Sequence, residues 1–569
     1  MKKSDHILGI NCSGFHSSAC LMREDRILYA ICEERISRIK RDRSFPHQAI
    51  DYCCKAAGID FNQVSDVFIG WHPRFYIQQS DSTLTEAFKS RGKLSYLALN
   101  ELATKIKGEI TDVLHTVMHE QGELRIHFVD HHKAHAAGGF FLSGFDHAAF
   151  LVLDGFGENT AGLAGTMSVN EFTTIQKHRT PHSLGSFYST FTDFLGFTPN
   201  NDEWKVMALA SLGDPTQYYQ KVRSLVTVSD LNLELDLSYF EHFLFFTPNY
   251  YSQKFIEAFG PPRGKDDELE QRHYDVVAAA QKVTEETIFA ILQNLHKRTG
   301  EKNLIVGGGT FMNSVCNGKI VENTPFENLF IGGSPDDSGV CLGSALYGAH
   351  FTTKQLKCPY FLGHNYFGRL YPTDEIRSYL TSRKLKFTEV DNPALEAARL
   401  LRQKKIVGWF QGASEFGQRA LGNRSILADP TLPEAKDLVN QSIKYRETFR
   451  PFAPSVIRER QNEYFEIHGN QDSLYMEKVF STKKEWRKKL PGVVHFDGSG
   501  RLHSVDRGVN PSFHKLLQEF EKLSGVPIVL NTSFNINHMP LVESPQDAIH
   551  CFSVCGLDVL ILENLLLSK

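Results

Sequence analysis

The predicted fold rests on residues 149–167, AFLVLDGFGENTAGLAGTM, whose plan occurs a first time at residues 7–21, ILGINCSGFHSSACL. Each stretch begins with apolar residues typical of a strand, passes through a turn of small residues and returns to an apolar run. A hairpin that occurs twice predicts a duplicated α/β unit. Together with the glycine-rich turn at residues 307–309, it is typical of folds that hold nucleotide phosphates between two lobes.

The chain is long enough for more than one domain. It has 569 residues, and about 100–200 residues per domain would give three or four modules, or two large domains if one is duplicated. After a helix-like run ending near His350, residues 358–373 read CPYFLGHNYFGRLYPT, which is rich in proline, glycine and aromatic residues. We therefore predict a first domain over residues 1–357 and a second α/β domain over residues 372–569.

Composition and charge narrow the class of protein. Hydrophobic residues make up 41% of the chain and charged residues 22%, as in ordinary globular proteins. The net charge of −4, with acids and bases interspersed, disfavours a nucleic-acid partner. The N-terminus does not resemble a signal peptide, no apolar run approaches the roughly 20 residues needed to span a bilayer, and no cysteines form a C-x-x-C pair. We expect a cytoplasmic protein with reduced cysteines and no membrane or nucleic-acid partner.

Two histidines four residues apart are candidate metal ligands. His131 and His135 follow a strand-like run and share one face of a predicted helix, a spacing that can chelate a metal ion. Asp154 ends an apolar strand and Asp337 lies in the turn GGSPDDSG. Two imidazoles with two carboxylates suit Fe(II), Mn or Zn, although the spacing alone leaves ordinary buried histidines open. A second pair with this spacing, at residues 115 and 119, we interpret as surface or core histidines.

These motifs, in this order, resemble the NodU/CmcH carbamoyltransferase family. The matches are H-H-K-A-H-A-A at 131–137, L-D-G-F-G-E at 153–158 and S-P-D-D-S-G-V-C-L-G at 334–343, together with segments at 33–42, 204–210, 307–313, 412–430, 443–454, 497–501 and 530–535. The similarity covers essentially the whole chain. It implies a duplicated actin/hexokinase-like (ASKHA) first domain and a YrdC-like second domain.

The resemblance implies an ATP-dependent O-carbamoyltransferase. In the second domain, carbamoyl phosphate would be split to carbamate, which attacks the α-phosphorus of ATP and gives carbamoyl adenylate. In the first domain, the carbamoyl group would pass to a hydroxyl of a small-molecule natural product, as in antibiotic biosynthesis. The expected cofactors are ATP with Mg and a divalent metal, Fe(II), held by the two histidines and two aspartates.

Several residues take roles from the resemblance. Cations that match phosphate and carbamate charge are Arg419, Arg424, Lys444, Arg446, Arg450 and Arg501. Hydrogen bonds to nucleotide oxygens are expected from Asn531, Thr532, Ser533 and Asn535, and contacts with the nucleotide in the first domain from Lys205, Gly307, Gly308, Gly309 and Asn313. His16 is the candidate acceptor of the hydroxyl proton. Each role has a competing interpretation: a solvated basic face for the six cations and ordinary polar turns for residues 531–535. Lys205 could be a surface lysine, and His16 could be a structural histidine in a turn.

Two departures from the family pattern affect these roles. The usual His-Asp dyad near the N-terminus is His16-Ser17 here, so a base role for that aspartate cannot be carried over. His503 replaces a common glutamine, which puts one polar contact near the nucleotide in doubt.

Other functions fit less well. Threonylcarbamoylation of tRNA would require a basic surface, which the charge pattern of this sequence does not predict. Hydrogenase-maturation carbamoyltransferases add an acylphosphatase module and C-x-x-C zinc sites, and this sequence has no such motifs. A non-catalytic nucleotide-binding scaffold would not need the complete set of ligands and arginines. The acceptor stays open among an aminoglycoside, a polyketide or macrolide alcohol, a guanidine alkaloid alcohol and a lipochitooligosaccharide. The native metal and the oligomeric state, including a homodimer, also stay open.

Overall fold

The computed structural model describes residues 5–72, 113–119, 122–244, 247–445, 450 and 452–569. The strands are β1 His6–Asn11, β2 Ser18–Arg23, β3 Arg26–Cys32, β4 Val64–Ile69, β5 Val113–His119, β6 Gly122–Phe128, β7 His147–Leu153, β8 Thr160–Ser168, β9 Phe172–Arg179, β10 Val226–Ser229, β11 Asn232–Leu235, β12 Asn303–Gly307, β13 Asn328–Ile331, β14 Thr388–Glu389, β15 Val407–Phe410, β16 Arg424–Ala428, β17 Ala453–Ile457, β18 Phe465–Glu466, β19 Lys478–Thr482, β20 Ser499–Val505, β21 Ile528–Ser533, β22 Val559–Leu562 and β23 Leu565–Ser568.

The α-helices lie between and after these strands. They are α1 Glu33–Ser37, α2 His47–Ala56, α3 His131–Ser143, α4 Leu184–Phe194, α5 Glu203–Leu209, α6 Tyr219–Arg223, α7 Gln253–Phe259, α8 Gln271–Thr299, α9 Ser314–Asn323, α10 Val340–Tyr347, α11 Thr373–Ser382, α12 Pro393–Arg402, α13 Ala435–Val439, α14 Gln461–Tyr464, α15 Lys484–Arg487, α16 Pro511–Ser524 and α17 Pro545–Val554. Among the described helices, none combines the length and apolar character required to cross a bilayer.

Two sheets in the first part of the chain, which ends with α10, share a five-strand topology, and the first sheet has β5 as an additional antiparallel edge strand. The first has the order β3-β2-β1-β4-β6-β5 and the second β9-β8-β7-β12-β13. In both, three antiparallel strands formed by consecutive hairpins are followed by two parallel strands. The predicted duplication is therefore confirmed. The turn of each first hairpin carries a Gly-Phe pair, and the rings of Phe15 and Phe156 touch edge to face with their centroids 5.7 Å apart.

One polar cluster lies within the first sheet. Asp66 on β4 accepts hydrogen bonds from Arg125 Nε (2.8 Å) and His127 Nε2 (2.8 Å) on β6. Burial alone would raise the pKa of Asp66, but the hydrogen bonds from His127, Arg125 and Ser65 lower this pKa to about 2. The histidines at 115 and 119 lie on the neighbouring strand β5 rather than on a helix, where four residues separate the Cα atoms by about 13 Å.

The second part of the chain, from α11 onward, forms one mixed sheet of ten strands. The strand order is β14-β23-β22-β15-β16-β21-β17-β20-β19-β18. Among the described residues, those buried in the core of this sheet run from Tyr371 to Leu567. The mixed α/β class is thus confirmed for both parts of the chain. The division into domains 1–357 and 372–569, and the YrdC-like character of the second domain, stay predictions.

Glycines let two helices of the first part approach closely. A Cβ added at Gly343 on α10 would lie 1.8 Å from the carbonyl oxygen of Ala134 on α3, and one added at Gly138 would lie 3.3 Å from the Cα of Gly343. The backbones of α3 and α10 are therefore in contact. This contact fixes the turn that precedes α10 relative to the start of α3.

The two parts of the chain also pack against each other backbone to backbone. Helix α9 lies on β19, where a Cβ at Gly318 would be 2.0 Å from the carbonyl oxygen of Val479. The buried Arg35 donates hydrogen bonds to the carbonyl oxygens of Glu415 (3.0 Å) and Gly417 (2.7 Å). These contacts leave little freedom for the parts to slide past one another.

Candidate active site and metal centre

Four predicted ligands meet between α3, β7 and α10. His135 Nε2 lies 3.2 Å from His131 Nε2 and 3.2 Å from Asp154 Oδ2. Asp337 Oδ1 lies 3.6 Å from His131 Nε2 and 3.8 Å from His135 Nε2. The helix places the histidines one turn apart, the end of β7 supplies Asp154, and the turn before α10 supplies Asp337.

The geometry fits a metal ion. A tetrahedral ion with ligands at about 2.0–2.1 Å holds its ligand atoms about 3.4 Å apart, close to the separations observed. Asp154 Oδ2 is buried, and no described residue gives it a hydrogen bond of acceptable geometry, although His135 Nε2 lies 3.2 Å away. His131 Nδ1 lies 3.2 Å from the carbonyl oxygen of Gly70, so Nδ1 carries the proton and Nε2 keeps its lone pair for a ligand bond.

Charges in this cluster support the same conclusion. Burial works against a charged imidazole, but Asp337 and Asp154 raise the pKa of His131 well above its usual value. Burial and the nearby Asp337 would raise the pKa of Asp154, yet the two imidazoles lower it to about 2. Both carboxylates are thus ionised at neutral pH, and a cation or a proton must balance them.

The carboxylate of Glu158, for which the sequence patterns predict no role, holds the start of α3 in place. Glu158 Oε1 accepts the backbone N–H groups of His72 (2.7 Å) and His131 (2.9 Å), and burial raises the pKa of Glu158 to about 7. His132 Nδ1 lies 2.8 Å from Thr160 Oγ1, and Asp130 caps the helix by accepting the N–H of Lys133. An aspartate directly before a helical run is the signal that would have predicted this cap.

A cavity of about 1300 Å³ lies where the two parts of the chain meet. Among the described residues that line it, nine are lysine or arginine and four are aspartate or glutamate. The predicted residues that it brings together are His16, Lys205, Arg419, Arg450, Arg501, Asn531, Thr532, Ser533 and Asn535. Arg450 reaches across the cavity, and its guanidinium carbon lies 3.9 Å from the ring centre of Trp204 on α5.

Arg424 and Lys444 lie behind the cavity wall. The guanidinium of Arg424 is fully buried, donates to the carbonyl oxygens of Gln411 (2.8 Å) and Gly412 (3.0 Å) and stacks on Phe410. The ammonium of Lys444 donates to Ser533 O (2.6 Å) and Asn535 Oδ1 (2.7 Å). The structure therefore uses Arg424 to hold backbone turns together and Lys444 to brace the loop that lines the cavity.

The glycine turn of the first part lies against the candidate metal ligands rather than along the cavity. A Cβ at Gly309 would be 3.0 Å from Asp154 Oδ1, and one at Gly308 would be 2.2 Å from the carbonyl oxygen of Leu153. Gly307 packs on His135. The side chain of Asn313 is engaged by Gln281 (2.8 Å) and by the start of α9, and Arg446 lies outside the described residues.

His16 adopts a left-handed backbone conformation, with φ of 45°. Its Nδ1 lies 2.8 Å from Asp336 Oδ2, which also accepts a hydrogen bond from Gln418 Nε2 at 2.6 Å. Burial opposes the charged imidazole, but Asp336 raises the pKa of His16 above its usual value. His16 thus has a carboxylate partner from a distant turn, although its sequence neighbour is Ser17.

His503 lies behind the loop at the end of β21. Its Nδ1 is 2.8 Å from Ser455 Oγ, which accepts a hydrogen bond from Asn531 Nδ2 at 2.9 Å. The imidazole therefore supports Asn531 through one hydroxyl. Burial lowers the pKa of His503 to about 3, so the ring is neutral at physiological pH.

The chain is similar to known proteins over most of its length. Family models described as carbamoyltransferase N-terminus and carbamoyltransferase C-terminus match residues 6–346 and 398–569. Nodulation protein NolNO of Sinorhizobium fredii is 32% identical over 97% of this chain and 78% of its own length. Nodulation protein NolO of Bradyrhizobium diazoefficiens is 34% identical over 78% of this chain and 79% of its own length. A solved structure of (R)-2-hydroxyglutaryl-CoA dehydratase component A matches with 13% identity and a TM-score of 0.31 over 60% of this chain and 97% of that protein.

Proposed function

This chain belongs to the carbamoyltransferase family, and we propose that it is an ATP-dependent O-carbamoyltransferase that acts on a hydroxyl of a small-molecule natural product. The observation that carries the proposal is the meeting of two sites. The cationic cavity reaches His16, whose partner Asp336 adjoins the candidate metal ligand Asp337. Activation and transfer chemistry can therefore take place in one shared cavity.

Activation is assigned to the wall formed by the second part of the chain. Arg419, Arg450 and Arg501 line the cavity there and match the charge of carbamoyl phosphate and of the ATP phosphates. Ser533 and Asn535 offer hydrogen bonds from a loop that Lys444 holds in place. In the proposed sequence, hydrolysis of carbamoyl phosphate gives carbamate and phosphate. A carbamate oxygen then attacks the α-phosphorus of Mg-ATP, which forms carbamoyl adenylate and releases pyrophosphate.

Transfer is assigned to the wall formed by the first part. The imidazole of His16 lines the cavity and can accept the proton of the acceptor hydroxyl. His131, His135, Asp154 and Asp337 would hold a divalent ion. When bound, Fe(II), Mn or Zn supplies a Lewis acid that attracts phosphate oxygens.

The shared cavity suits a reactive intermediate. Carbamoyl adenylate hydrolyses if it meets bulk water, so a short path within one cavity favours transfer over hydrolysis. The proposal assigns transfer to residues 1–357 and activation to residues 372–569. It also includes a cytoplasmic location, which the free state of all ten cysteines favours.

The test uses the purified full chain with ATP and carbamoyl phosphate. Release of pyrophosphate that requires carbamoyl phosphate, followed by AMP, is the expected result. Arg501→Ala should lose pyrophosphate release, whereas Arg507→Ala, at an exposed position, serves as the matched control. A wild-type protein that released ADP instead of pyrophosphate and AMP, or released no nucleotide product, would refute the proposed activation step.

A further inference from the structure

Three side chains from distant segments meet at one edge of the cavity. His16 comes from the turn between β1 and β2, Asp336 from the turn before α10, and Gln418 from the second part of the chain. Asp336 Oδ2 lies 2.8 Å from His16 Nδ1 and 2.6 Å from Gln418 Nε2. The two ends of this arrangement, His16 and Gln418, both line the cavity, and Asp336 is buried between them.

The hydrogen bonds determine which ring nitrogen of His16 carries the proton. A carboxylate oxygen only accepts hydrogen bonds, so both nitrogens that face Asp336 Oδ2 must donate. His16 Nδ1 therefore carries a hydrogen, and in the neutral ring Nε2 keeps the lone pair. Gln418 Nε2 is also 3.3 Å from His16 Nδ1, so the amide borders the ring and limits its rotation.

Gln418 reaches this position because Gly417 precedes it. A Cβ at Gly417 would lie 2.1 Å from Ser334 Oγ and 3.1 Å from the carbonyl oxygen of Gly333, and the φ of Gly417 is +96°. Only glycine combines this backbone conformation with so close an approach. The second part of the chain is therefore built to bring the Gln418 amide against the turn that holds Asp336.

We propose that Gln418 is a positioning residue for carbamoyl transfer, which through Asp336 holds the His16 imidazole with Nε2 toward the acceptor hydroxyl. This inference rests on the proposed function, because it requires His16 to be the base. The acceptor oxygen forms a bond to the carbamoyl carbon while its proton passes to His16 Nε2. The bond between that carbon and the phosphate oxygen breaks, AMP leaves with the electron pair, and His16 then returns the proton to solvent. Gln418 lies in the second part of the chain, to which activation is assigned, and it thus sets the geometry of the transfer step.

The experiment separates the two steps without knowledge of the natural acceptor. The full chain is given ATP and carbamoyl phosphate in a single turnover, with methanol as the probe alcohol. Pyrophosphate reports activation, whereas AMP reports transfer to methanol or to water and methyl carbamate identifies the alcohol product. The variants are Gln418→Met, His16→Ala and the double variant, with Gln403→Met, at an exposed position, as the control. Gln418→Asn repeats the test with the amide one methylene short if the methionine variant does not fold.

Gln418→Met should slow AMP release about 10- to 100-fold, the loss expected for one hydrogen bond to a charged group. His16→Ala should slow it at least as much, and the double variant should be no slower than His16→Ala, because Gln418 acts through His16. Metal content and Tm should match the control. Wild-type AMP release by Gln418→Met, or an equal further loss in the double variant, would overturn the inference while the proposed function stands. Loss of the pyrophosphate burst would move Gln418 to activation and also overturn it. Unchanged AMP release by His16→Ala would overturn the base itself, and a wild-type protein without pyrophosphate release would refute the proposed function.

Discussion

Replacement of Gly343 by alanine should remove the ability of the protein to retain a metal ion. The new Cβ would lie 1.8 Å from the carbonyl oxygen of Ala134, whereas carbon and oxygen atoms normally stay about 3.3 Å apart or more. Helices α3 and α10 must then separate by about 1.5 Å, at a cost of about 1–3 kcal/mol in stability. Since α3 carries His131 and His135 and the turn before α10 carries Asp337, the ligand pairs separate by the same amount.

A displacement of this size far exceeds the tolerance of about 0.2 Å for metal–ligand distances. We expect the affinity for Zn²⁺ or Fe(II) to fall at least about 100-fold. The full chain is loaded with metal, desalted and measured by elemental analysis, with Tm recorded with and without chelator. Gly300→Ala is the control, because its φ of +66° makes the substitution strained although nothing lies within 4 Å of the new Cβ. That variant should lose about 1 kcal/mol of stability and keep its metal. A Gly343→Ala protein that binds one ion per chain with wild-type affinity would refute this reasoning.

Three further outcomes follow from the site and the fold. His135→Ala should retain little metal and release AMP slowly while pyrophosphate release persists. The control His147→Ala, at an exposed histidine, should keep its metal. Normal metal content in His135→Ala would contradict the ligand assignment. Arg501→Ala should lower the rate of pyrophosphate release at least about 100-fold, because a charge-assisted contact to the phosphate groups in the transition state is removed. A rate equal to that of the Arg507→Ala control would exclude Arg501 from activation. The folded-state pKa of Asp66, about 2, lies below its unfolded value of about 3.9, so Asp66 contributes about 2–3 kcal/mol above pH 4 that is lost as the pH falls toward 2. Asp66→Asn should therefore be less stable at pH 7 and should show a smaller loss in urea unfolding between pH 4 and pH 2; an unchanged pH dependence would contradict the assigned pKa.

Local sequence patterns were sufficient to predict which side chains converge where the pattern is a helical spacing or the end of a strand. The spacing of His131 and His135 on one helix face, with Asp154 at the end of a buried strand, predicts side chains that converge, and the structure brings them together. The repeated hairpin likewise predicts the duplicated sheet. In both cases, neighbours in sequence fix the direction of the side chain, and burial of apolar residues fixes the rest.

Local sequence patterns did not predict the contacts of a side chain whose hydrogen-bond partner is distant in the sequence. They also did not predict which polar side chains form hydrogen bonds with backbone groups of the protein itself. Arg424 stands among small residues like an anion-binding arginine, but its guanidinium is used by carbonyl oxygens, which composition does not reveal. Asn313 caps a helix instead of lining the cavity. Asp336 and Gln418 become partners only because the second part of the chain docks on the first, and no local period in the sequence records that contact.

The touching rings of Phe15 and Phe156 have a consequence for how this protein diverged. Equivalent residues that contact each other must lie near the axis that relates the two repeats, so both turns face the same point in space. The two turns differ in what they carry: in the proposed function, the first supplies His16 for proton transfer and the second follows strand β7 and begins at Asp154, a candidate ligand of the metal ion. The ring contact joins the two turns directly. A change in the size of one ring is therefore expected to select a compensating change in the other, and the two positions should covary among relatives.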